Sequence, residues 1–284
     1  MKLSTLLSCV VLTCATLSTL TFAADSYQHL RSATGKLHIA NKTFLIDPML
    51  ANKGAYPGFE GSHNSHLRNP LTDLPLTVEK IYHDVDGVIV THTHLDHWDP
   101  AAQDQLPKSM LIIAQHEQDA QLIRAQGFSN VQVLHDTLQV DNVTLVKTHG
   151  AHGTAEMYAT PLAELLGEAM GVVFKAEGHP TTYLVGDTVW TADVNKAIFK
   201  HQPQVLIVNT GDARTLAFPD DGIIMSKQDI RRAYAMLPEA KIITVHMDAV
   251  NHMTVTSDEM RAYVTENKLS DRVIVPKQGD VIKL

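Results

Sequence analysis

One short run of residues constrains this chain more than any other feature. Residues 92–97 read His-Thr-His-Leu-Asp-His, so four side chains that can bind a metal ion occur within six positions. The run follows residues 86–91, an apolar and β-branched segment that predicts a buried strand. Side chains at the end of a buried strand are held rigidly and are open to solvent on one side. A catalytic metal ion needs both properties, so the run predicts a catalytic metal site.

The amino-terminal segment differs in composition from the rest of the chain. Of the 284 residues, 44% are hydrophobic and 19% are charged, as in a soluble globular protein with a sizeable core. Lys2, however, precedes an apolar stretch that ends in small residues at Ala23 and Ala24. We interpret residues 1–23 as a cleaved secretory signal peptide rather than a membrane anchor. We therefore expect one domain, residues 24–284, in the periplasm or outside the cell.

Cysteine content and charge exclude several function classes. Both cysteines, Cys9 and Cys14, lie in the predicted signal peptide, so the mature chain has no thiolate nucleophile and no cysteine metal ligand. Removing Lys2 leaves 22 basic against 31 acidic residues, a net charge of about −9. Without a basic stripe, no nucleic-acid partner is expected. We expect a small-molecule substrate and no stable membrane anchor after signal cleavage.

Hydrophobic patterning indicates a mixed α/β architecture. Residues 35–40 and 43–47 predict a hairpin that turns at Asn41 and Lys42. Residues 51–76 lack periodicity and predict a long loop that covers the site. Strands followed by alternating strands and helices predict two packed sheets with helices outside. Further strands are predicted at 110–114, 131–134, 143–148, 171–177, 181–185, 205–209, 241–246 and in a final pair at 272–275 and 281–283.

Predicted helices cover residues 100–105, 116–126, 226–236 and 256–266. Ser226 and Thr256, each followed three positions later by an acidic residue, are typical amino-terminal caps of the last two helices.

Further ligand candidates follow three of the predicted strands. His149 and His152 come after 143–148, Asp187 after 181–185, and His246 at the end of 241–246. Within the first run, His92 and His94 are two residues apart and can point the same way from extended chain. Asp96 and His97 follow a turn and can face a second ion. The pattern therefore suits a binuclear site, which needs about seven ligands.

The ordered motifs resemble those of the metallo-β-lactamase superfamily. They are the strand leading to Asp47-Pro48, the run at 92–97, the turn at His152, the turn at 186–188 and the strand ending at His246. The resemblance spans residues 35–250 and is closest to the branch with the ascorbate-6-phosphate lactonase and the N-acyl-phosphatidylethanolamine phospholipase D. It implies an αββα sandwich, in which two mixed β-sheets are flanked by helices and the metals lie at one sheet edge.

The resemblance also implies a ligand set. The first metal would be bound by His92, His94 and His152. The second would be bound by Asp96, His97 and His246, and the carboxylate of Asp187 would bridge the two metals. His149 is the alternative third ligand of the first metal. The bridging carboxylate is typical of lactonase-like and phosphodiesterase-like members, whereas true β-lactam hydrolases generally lack it. Zinc is favoured by the nitrogen and oxygen donors, and manganese or iron also fit.

This site predicts a hydrolase. Two divalent cations would lower the pKa of a shared water towards ~7, and the metal-bound hydroxide would attack a small lactone or ester. Asp96 would orient the nucleophile, and His252 would donate a proton to the leaving group or bind an oxyanion. The alternatives are a phosphodiesterase, a β-lactamase and a non-catalytic metal-binding protein.

Several neighbours of the run have two interpretations. Asp99 fits equally a hydrogen bond to a ligand imidazole and a helix cap before Pro100. Trp98 is better explained as core than as pocket wall, and His63 and His66 as exposed loop histidines. Asp47 is expected to support the ligand-bearing loops without binding metal.

Overall fold

The computed structural model describes residues 24–284, and the predicted signal peptide lies outside them. Two seven-stranded sheets form the centre. The strands of the first sheet are β1 (Ser26–Arg31), β2 (Thr34–Ile39), β3 (Lys42–Ile46), β4 (Gly87–Val90), β5 (Leu111–Ala114), β6 (Asn130–Val133) and β14 (Val281–Lys283). Those of the second are β7 (Thr137–Val140), β8 (Val143–His149), β9 (Met170–Lys175), β10 (Thr182–Leu184), β11 (Val205–Asn209), β12 (Lys241–Val245) and β13 (Val273–Ile274).

Helices flank both sheets. They are α1 (Val78–Tyr82), α2 (Pro100–Gln105), α3 (Glu117–Ala125), α4 (Ala155–Tyr158), α5 (Leu162–Leu166), α6 (Ala192–His201), α7 (Lys227–Met236) and α8 (Ser257–Glu266). Ser226 and Thr256 begin α7 and α8 with complete capping boxes, as predicted. Within residues 24–284, no helix reaches the length and apolarity that a membrane crossing needs.

Side-chain alternation along the strands builds three apolar layers. In β4, Ile89 faces the second sheet, while Val88 and Val90 pack under the helices of the first sheet. In β9, Val172 faces the first sheet and Val173 packs under helices of the second. Because successive side chains of a strand point to opposite faces, apolar strands of this kind are buried on both sides. The αββα sandwich of two mixed sheets is thus confirmed.

Sheet topology corrects two details of the prediction. The hairpin between β2 and β3 turns at Ala40 and Asn41 rather than at Asn41 and Lys42, because these two residues adopt the positive φ values of 51° and 62°. The final two strands do not pair with each other. β13 lies beside β12 and β14 beside β1, so the chain ends by adding one edge strand to each sheet.

Five strands end in one region, so the loops that follow them lie close together. β10, β11 and β12 are parallel, and β8 runs in the same direction because β9 is antiparallel to both β8 and β10. Their carboxyl ends therefore meet at one edge of the second sheet. The end of β4 lies at the same edge, since Met170 N of β9 donates a hydrogen bond to Thr91 O. Loops at such an edge are common ligand-binding positions in α/β proteins.

Candidate metal centre

The loops after β4, β8, β10 and β12 bring together all seven of the predicted metal ligands. Potential ligand atoms within 4.8 Å of one another form three overlapping groups: His92, His94 and His152; His92, His97 and Asp187; and Asp96, His97 and His246. All seven side chains except His94 are buried. The first and third groups contain the same residues that the resemblance implies for the first and second metals.

Asp187 lies between the first and the third group of ligand atoms. Its Oδ2 atom is 3.5 Å from Nε2 of His152 on one side, and 3.5 Å from Nε2 of His246 on the other. The second carboxylate oxygen accepts a 2.5 Å hydrogen bond from the side-chain amide of Asn209, at the end of β11. One oxygen of this carboxylate is therefore directed at both groups, a position from which Asp187 would hold two ions.

The donor set fits a cation. Nδ1 of His97 lies 2.9 Å from the Asp47 carboxylate, which only accepts hydrogen bonds, so this nitrogen carries a proton. Nε2 of His97 then faces two further atoms, Oδ2 of Asp187 at 3.1 Å and Nε2 of His246 at 2.9 Å. Lone pairs at such distances repel one another unless a positive charge lies among them. A metal ion supplies that charge and uses the lone pairs as ligands.

The electrostatics of the buried groups agree with this fit. Burial opposes a charge on His97, but the carboxylates around it, Asp187 foremost, outweigh burial and hold the pKa of His97 well above its ordinary value. Burial would raise the pKa of Asp187, but His97 and His246 outweigh it and hold that pKa well below its ordinary range. Burial, with the neighbouring His97 and His94, lowers the pKa of His92 well below its ordinary value. Without a cation, the centre therefore combines an ionised Asp187 and a neutral His92 with a positive charge on His97, and a metal ion would take the place of that charge.

Two ligand imidazoles of the first group are oriented by backbone carbonyls. Nε2 of His94 lies 2.9 Å from the carbonyl oxygen of Leu165, which leaves Nδ1 of His94 facing His92. Nδ1 of His152 lies 2.9 Å from the carbonyl oxygen of Ile223, which leaves its Nε2 facing Asp187. Such contacts fix which nitrogen is free to bind a metal.

Hydroxyl groups orient two more imidazoles. Nδ1 of His92 lies 3.1 Å from the Thr91 hydroxyl, and Nδ1 of His246 lies 3.1 Å from the Ser32 hydroxyl. His246 also has a positive φ of 63°, so the chain turns sharply as β12 ends. These contacts turn Nε2 of both rings towards the centre.

The other singled-out residues lie outside the groups of ligand atoms. His149 and His66 are exposed, and His63 is partly buried. Asp99 caps α2, accepting a 2.7 Å hydrogen bond from Ala102 N, so the cap interpretation is the one observed. Trp98 is buried in the core beside Phe128, and its indole N–H donates to Gln126.

His252 borders the centre without joining a group of ligand atoms. It is 8% exposed, and its Nδ1 has no hydrogen-bond partner within residues 24–284. Burial lowers the pKa of His252 to about 4, although the nearby carboxylate of Asp96 opposes that shift. A neutral imidazole with an unused nitrogen is therefore available at the border of the centre.

A cavity of about 550 Å³ adjoins the centre at His92 and His94. Its other walls include Gln115 and Asp119 near α3, and Tyr158 and Glu164 from the α4 and α5 segment. The volume suits a small organic molecule. Neither lysine nor arginine lines this cavity.

Among the residues that hold the candidate ligands, only Asp47 was singled out from the sequence. Asn209, Ser32 and the carbonyls of Leu165 and Ile223 were not singled out. Asn209 carries a usable signal, because it is a lone polar residue ending an apolar strand. A backbone carbonyl carries none, and Ser32 lies 214 residues from the imidazole that it contacts.

Comparisons with known proteins agree with this geometry. The family model described as "Beta-lactamase superfamily domain" matches residues 42–247. The UPF0173 protein YddR of Bacillus subtilis is 43% identical over 251 residues, which cover 88% of this chain and 96% of the relative. A UPF0173 metal-dependent hydrolase of Methanosphaera stadtmanae is 28% identical over 63% of this chain and 68% of its own.

Two solved structures are similar over nearly their whole length. A possible metal-dependent hydrolase from Veillonella parvula is 51% identical, with a TM-score of 0.91 over 92% of this chain and 100% of that one. An isothiocyanate hydrolase from Delia radicum gut bacteria is 45% identical, with a TM-score of 0.88 over 91% of this chain and 99% of that one. From the matched family model, the fold and the histidine and aspartate groups, this chain is a metal-dependent hydrolase that belongs to the metallo-β-lactamase superfamily.

Proposed function

We propose that this chain is a binuclear hydrolase that attacks an electron-poor carbon of a small molecule, with isothiocyanates as its first substrate class. One observation carries the choice of substrate. The similar structure from Delia radicum gut bacteria, 45% identical over 99% of its length, is an isothiocyanate hydrolase. The lactone or ester expected from the sequence has the same kind of reacting carbon and remains the second candidate.

The reaction balances with water as the only co-substrate. Water adds across the C=N bond of R–N=C=S, which forms a carbon–oxygen bond and puts one proton on nitrogen. The resulting thiocarbamic acid breaks its carbon–nitrogen bond as its O–H proton passes to nitrogen, releasing R–NH2 and carbonyl sulfide. The protein must activate water, stabilise negative charge beside the reacting carbon and supply protons to nitrogen.

The buried side chains are suited to these tasks. Cations held by the first and third groups of ligand atoms would lower the pKa of water towards ~7 and stabilise negative charge on the substrate. Asp96, whose Oδ2 is 3.5 Å from Nε2 of His246, would orient the attacking water and accept its proton. His252, with its unused Nδ1, would donate a hydrogen bond to the substrate nitrogen.

Three alternatives have less support. A phosphodiester would need cationic groups for its phosphate, and the cavity beside His94 contains neither lysine nor arginine while Asp119 and Glu164 line it. A β-lactamase is disfavoured by Asp187, because a bridging carboxylate is untypical of that activity. A non-catalytic protein would be expected to have lost a ligand, whereas every ligand position is filled.

Metal content and substrate turnover test the proposal together. We expect about two zinc or manganese ions per chain, falling towards about one in Asp187→Ala. Zinc-loaded protein should convert benzyl isothiocyanate to benzylamine and carbonyl sulfide, and Asp187→Ala should lose this activity while the exposed-loop variant His66→Ala keeps it. A lactone, a phenyl ester, a phosphodiester and nitrocefin complete the panel. Turnover of a lactone or ester without isothiocyanate turnover would replace the substrate class. A single metal in the wild type would overturn the binuclear mechanism.

We also propose that the mature chain is exported and acts on its small-molecule substrate without a nucleic-acid partner or a stable membrane anchor. The small residues at positions 23 and 24 support cleavage there. Amino-terminal sequencing of protein from a fractionated Gram-negative host should give a chain starting at Ala24 or Asp25 in the periplasm. An intact amino terminus in the cytoplasm would contradict this.

A further inference from the structure

Asn251 connects the loop of residues 59–69 to the turn that carries His252. Its Oδ1 accepts hydrogen bonds from the backbone N–H of Phe59 at 2.9 Å and from the side-chain amide of Asn69 at 2.8 Å. Its Nδ2 donates to the hydroxyl of Ser62 at 2.9 Å and to the carbonyl oxygen of His63 at 2.6 Å. One side chain therefore holds four residues of the loop.

The hydrogen-bonding capacity of this amide is fully used. Asn251 is 1% exposed, and a primary amide offers two donor hydrogens and an oxygen that accepts two hydrogen bonds. Its backbone N–H also donates to Oδ1 of Asn69 at 2.9 Å, so two asparagines hold each other in both directions. Rotation of the amide would set donors against donors and leave buried groups unpaired. The position of the loop is therefore tied to one orientation of Asn251.

The next residue along the chain is in contact with the same loop. The rings of Phe59 and His252 meet edge to face, with centroids 4.7 Å apart and planes at 87°. The backbone carbonyl of His252 accepts a hydrogen bond from Arg214 N, which holds its main chain. Nδ1 of the His252 ring lacks a hydrogen-bond partner in the described chain. The aromatic contact with Phe59 is therefore a directional contact that orients this imidazole.

We propose that Asn251 is a positioning residue, which fixes loop 59–69 so that Phe59 holds the His252 ring towards the metal centre. The consequence for turnover rests on the proposed function, in which His252 contacts the substrate nitrogen. The positioning itself concerns only groups of this chain and can be measured without substrate.

Four variants test this inference in zinc-loaded full-length mature protein. Asn251→Ala removes the anchor, Phe59→Leu removes the ring, and Phe59→Tyr keeps an aromatic edge. His66→Ala is the matched control, because it changes an exposed residue of the same loop. The readouts are the imidazole ¹⁵N and ¹H resonances of His252, assigned with His252→Gln, and kcat and KM with benzyl isothiocyanate.

We expect Asn251→Ala and Phe59→Leu to shift the His252 resonances and to lower kcat by about ten- to a hundredfold, since small misplacements of a reacting group have effects of this size. Phe59→Tyr and His66→Ala should stay near the wild type, with metal content unchanged in all four. A fifth variant, which combines Asn251→Ala with Phe59→Leu, should have a kcat no lower than that of Asn251→Ala alone, because both changes act through one ring.

Unmoved His252 resonances in Asn251→Ala, or losses of kcat that multiply in the double variant, would overturn the inference. If Asn251→Ala does not fold, the comparison of Phe59→Leu with Phe59→Tyr tests the inference instead. Equal His252 resonances in these two variants would contradict the inference. If benzyl isothiocyanate is not a substrate, the proposed substrate class fails while the resonance measurement still tests the positioning.

Discussion

The carboxylate of Asp47 holds the imidazole of His97 from the side opposite the metal centre. Its Oδ2 lies 2.9 Å from Nδ1 of His97 and accepts a 2.8 Å hydrogen bond from the hydroxyl of Thr91. Its Oδ1 accepts a 2.8 Å hydrogen bond from the backbone N–H of Thr91. Three hydrogen bonds leave this buried carboxylate little freedom. Asp47 therefore sets both the direction and the tautomer of His97, although it belongs to none of the groups of candidate ligand atoms.

We expect Asp47→Asn to weaken metal binding by about 10- to 100-fold, measured by competition with a chelator. An amide can present an N–H to Nδ1 of His97, which favours the tautomer with a proton on Nε2. Asp25→Asn is the matched control, because Asp25 forms a 2.7 Å pair with His179 and neither residue belongs to a ligand group. Equal metal affinity in Asp47→Asn and wild type would contradict the assigned role.

His152 and His149 should differ in their effect on metal content. His152 is buried and grouped with His92 and His94, whereas His149 is exposed. We expect His152→Ala to lower the zinc content from about two ions per chain towards about one, while His149→Ala keeps the wild-type content. Elemental analysis of both variants after identical loading makes the comparison. A loss of zinc in His149→Ala alone would reverse the assignment.

The glycine before Asp187 should be intolerant of a side chain. Gly186 has a φ of +76°, and a Cβ at this position would clash with the carbonyl oxygen of Met170. Gly178 has a similar φ of +78° with nothing near its Cβ position, so Gly178→Ala measures the backbone strain alone. We expect Gly178→Ala to lower the free energy of unfolding by about 1–2 kcal/mol.

Gly186→Ala should lower the free energy of unfolding by about 1–3 kcal/mol more than Gly178→Ala does. It should also reduce the metal content, because Asp187 follows directly. Urea unfolding of both variants, with metal analysis, makes this comparison. Equal destabilisation by the two changes would be inconsistent with the clash.

His29 should make the protein less stable in acid. Burial lowers the pKa of His29 to about 4, although the carboxylates of Asp248 and Asp280 oppose this shift. The unfolded chain, with an ordinary histidine pKa of about 6.5, therefore binds more protons between these values. The contribution of His29 to stability is complete above about pH 6.5 and falls by up to about 1.4 kcal/mol per pH unit as pH drops towards about 4.

Urea unfolding of wild type and His29→Gln at several pH values and equal metal loading measures the contribution of His29 to the pH dependence of stability. We expect the stability of the variant to depend less steeply on pH in this range. Parallel curves would show that His29 does not titrate as its burial requires.

Local patterns predicted the elements that carry their own signals. β4 combines an apolar run with the ligand motif that follows it, and α7 and α8 begin with capping boxes. The helix α6 was not predicted, although Thr191 caps it, because Phe199, which is 81% exposed, puts an apolar side chain on its polar side and obscures the helical periodicity. β1 was also missed. It buries His29 and Arg31, and the burial of polar side chains depends on distant partners rather than on the strand's own pattern.

The residues of the site also differ in whether the sequence around them carries a recognisable signal. Its ligands could be listed from the sequence because each follows a strand whose apolar run is recognisable. Asp47 was expected to support the ligand-bearing loops. The other orienting groups, among them Ser32, Asn209 and the carbonyl of Leu165, could not be listed, because they become neighbours of the ligands only when the two sheets pack together. The role of Asn251 depends in the same way on a loop whose path no local pattern determines.

The division of ligands between the two sheets has a consequence for how the protein matures. The loop after β4 supplies His92, His94, Asp96 and His97 from the first sheet, whereas His152, Asp187 and His246 come from the second. Each implied cation therefore lacks a ligand until both halves have docked. A nascent chain with only its amino-terminal half assembled would hold metal weakly and exchange it freely. Tight loading is thus expected to be one of the last events in biogenesis, and release of the ion one of the first signs that the halves have separated.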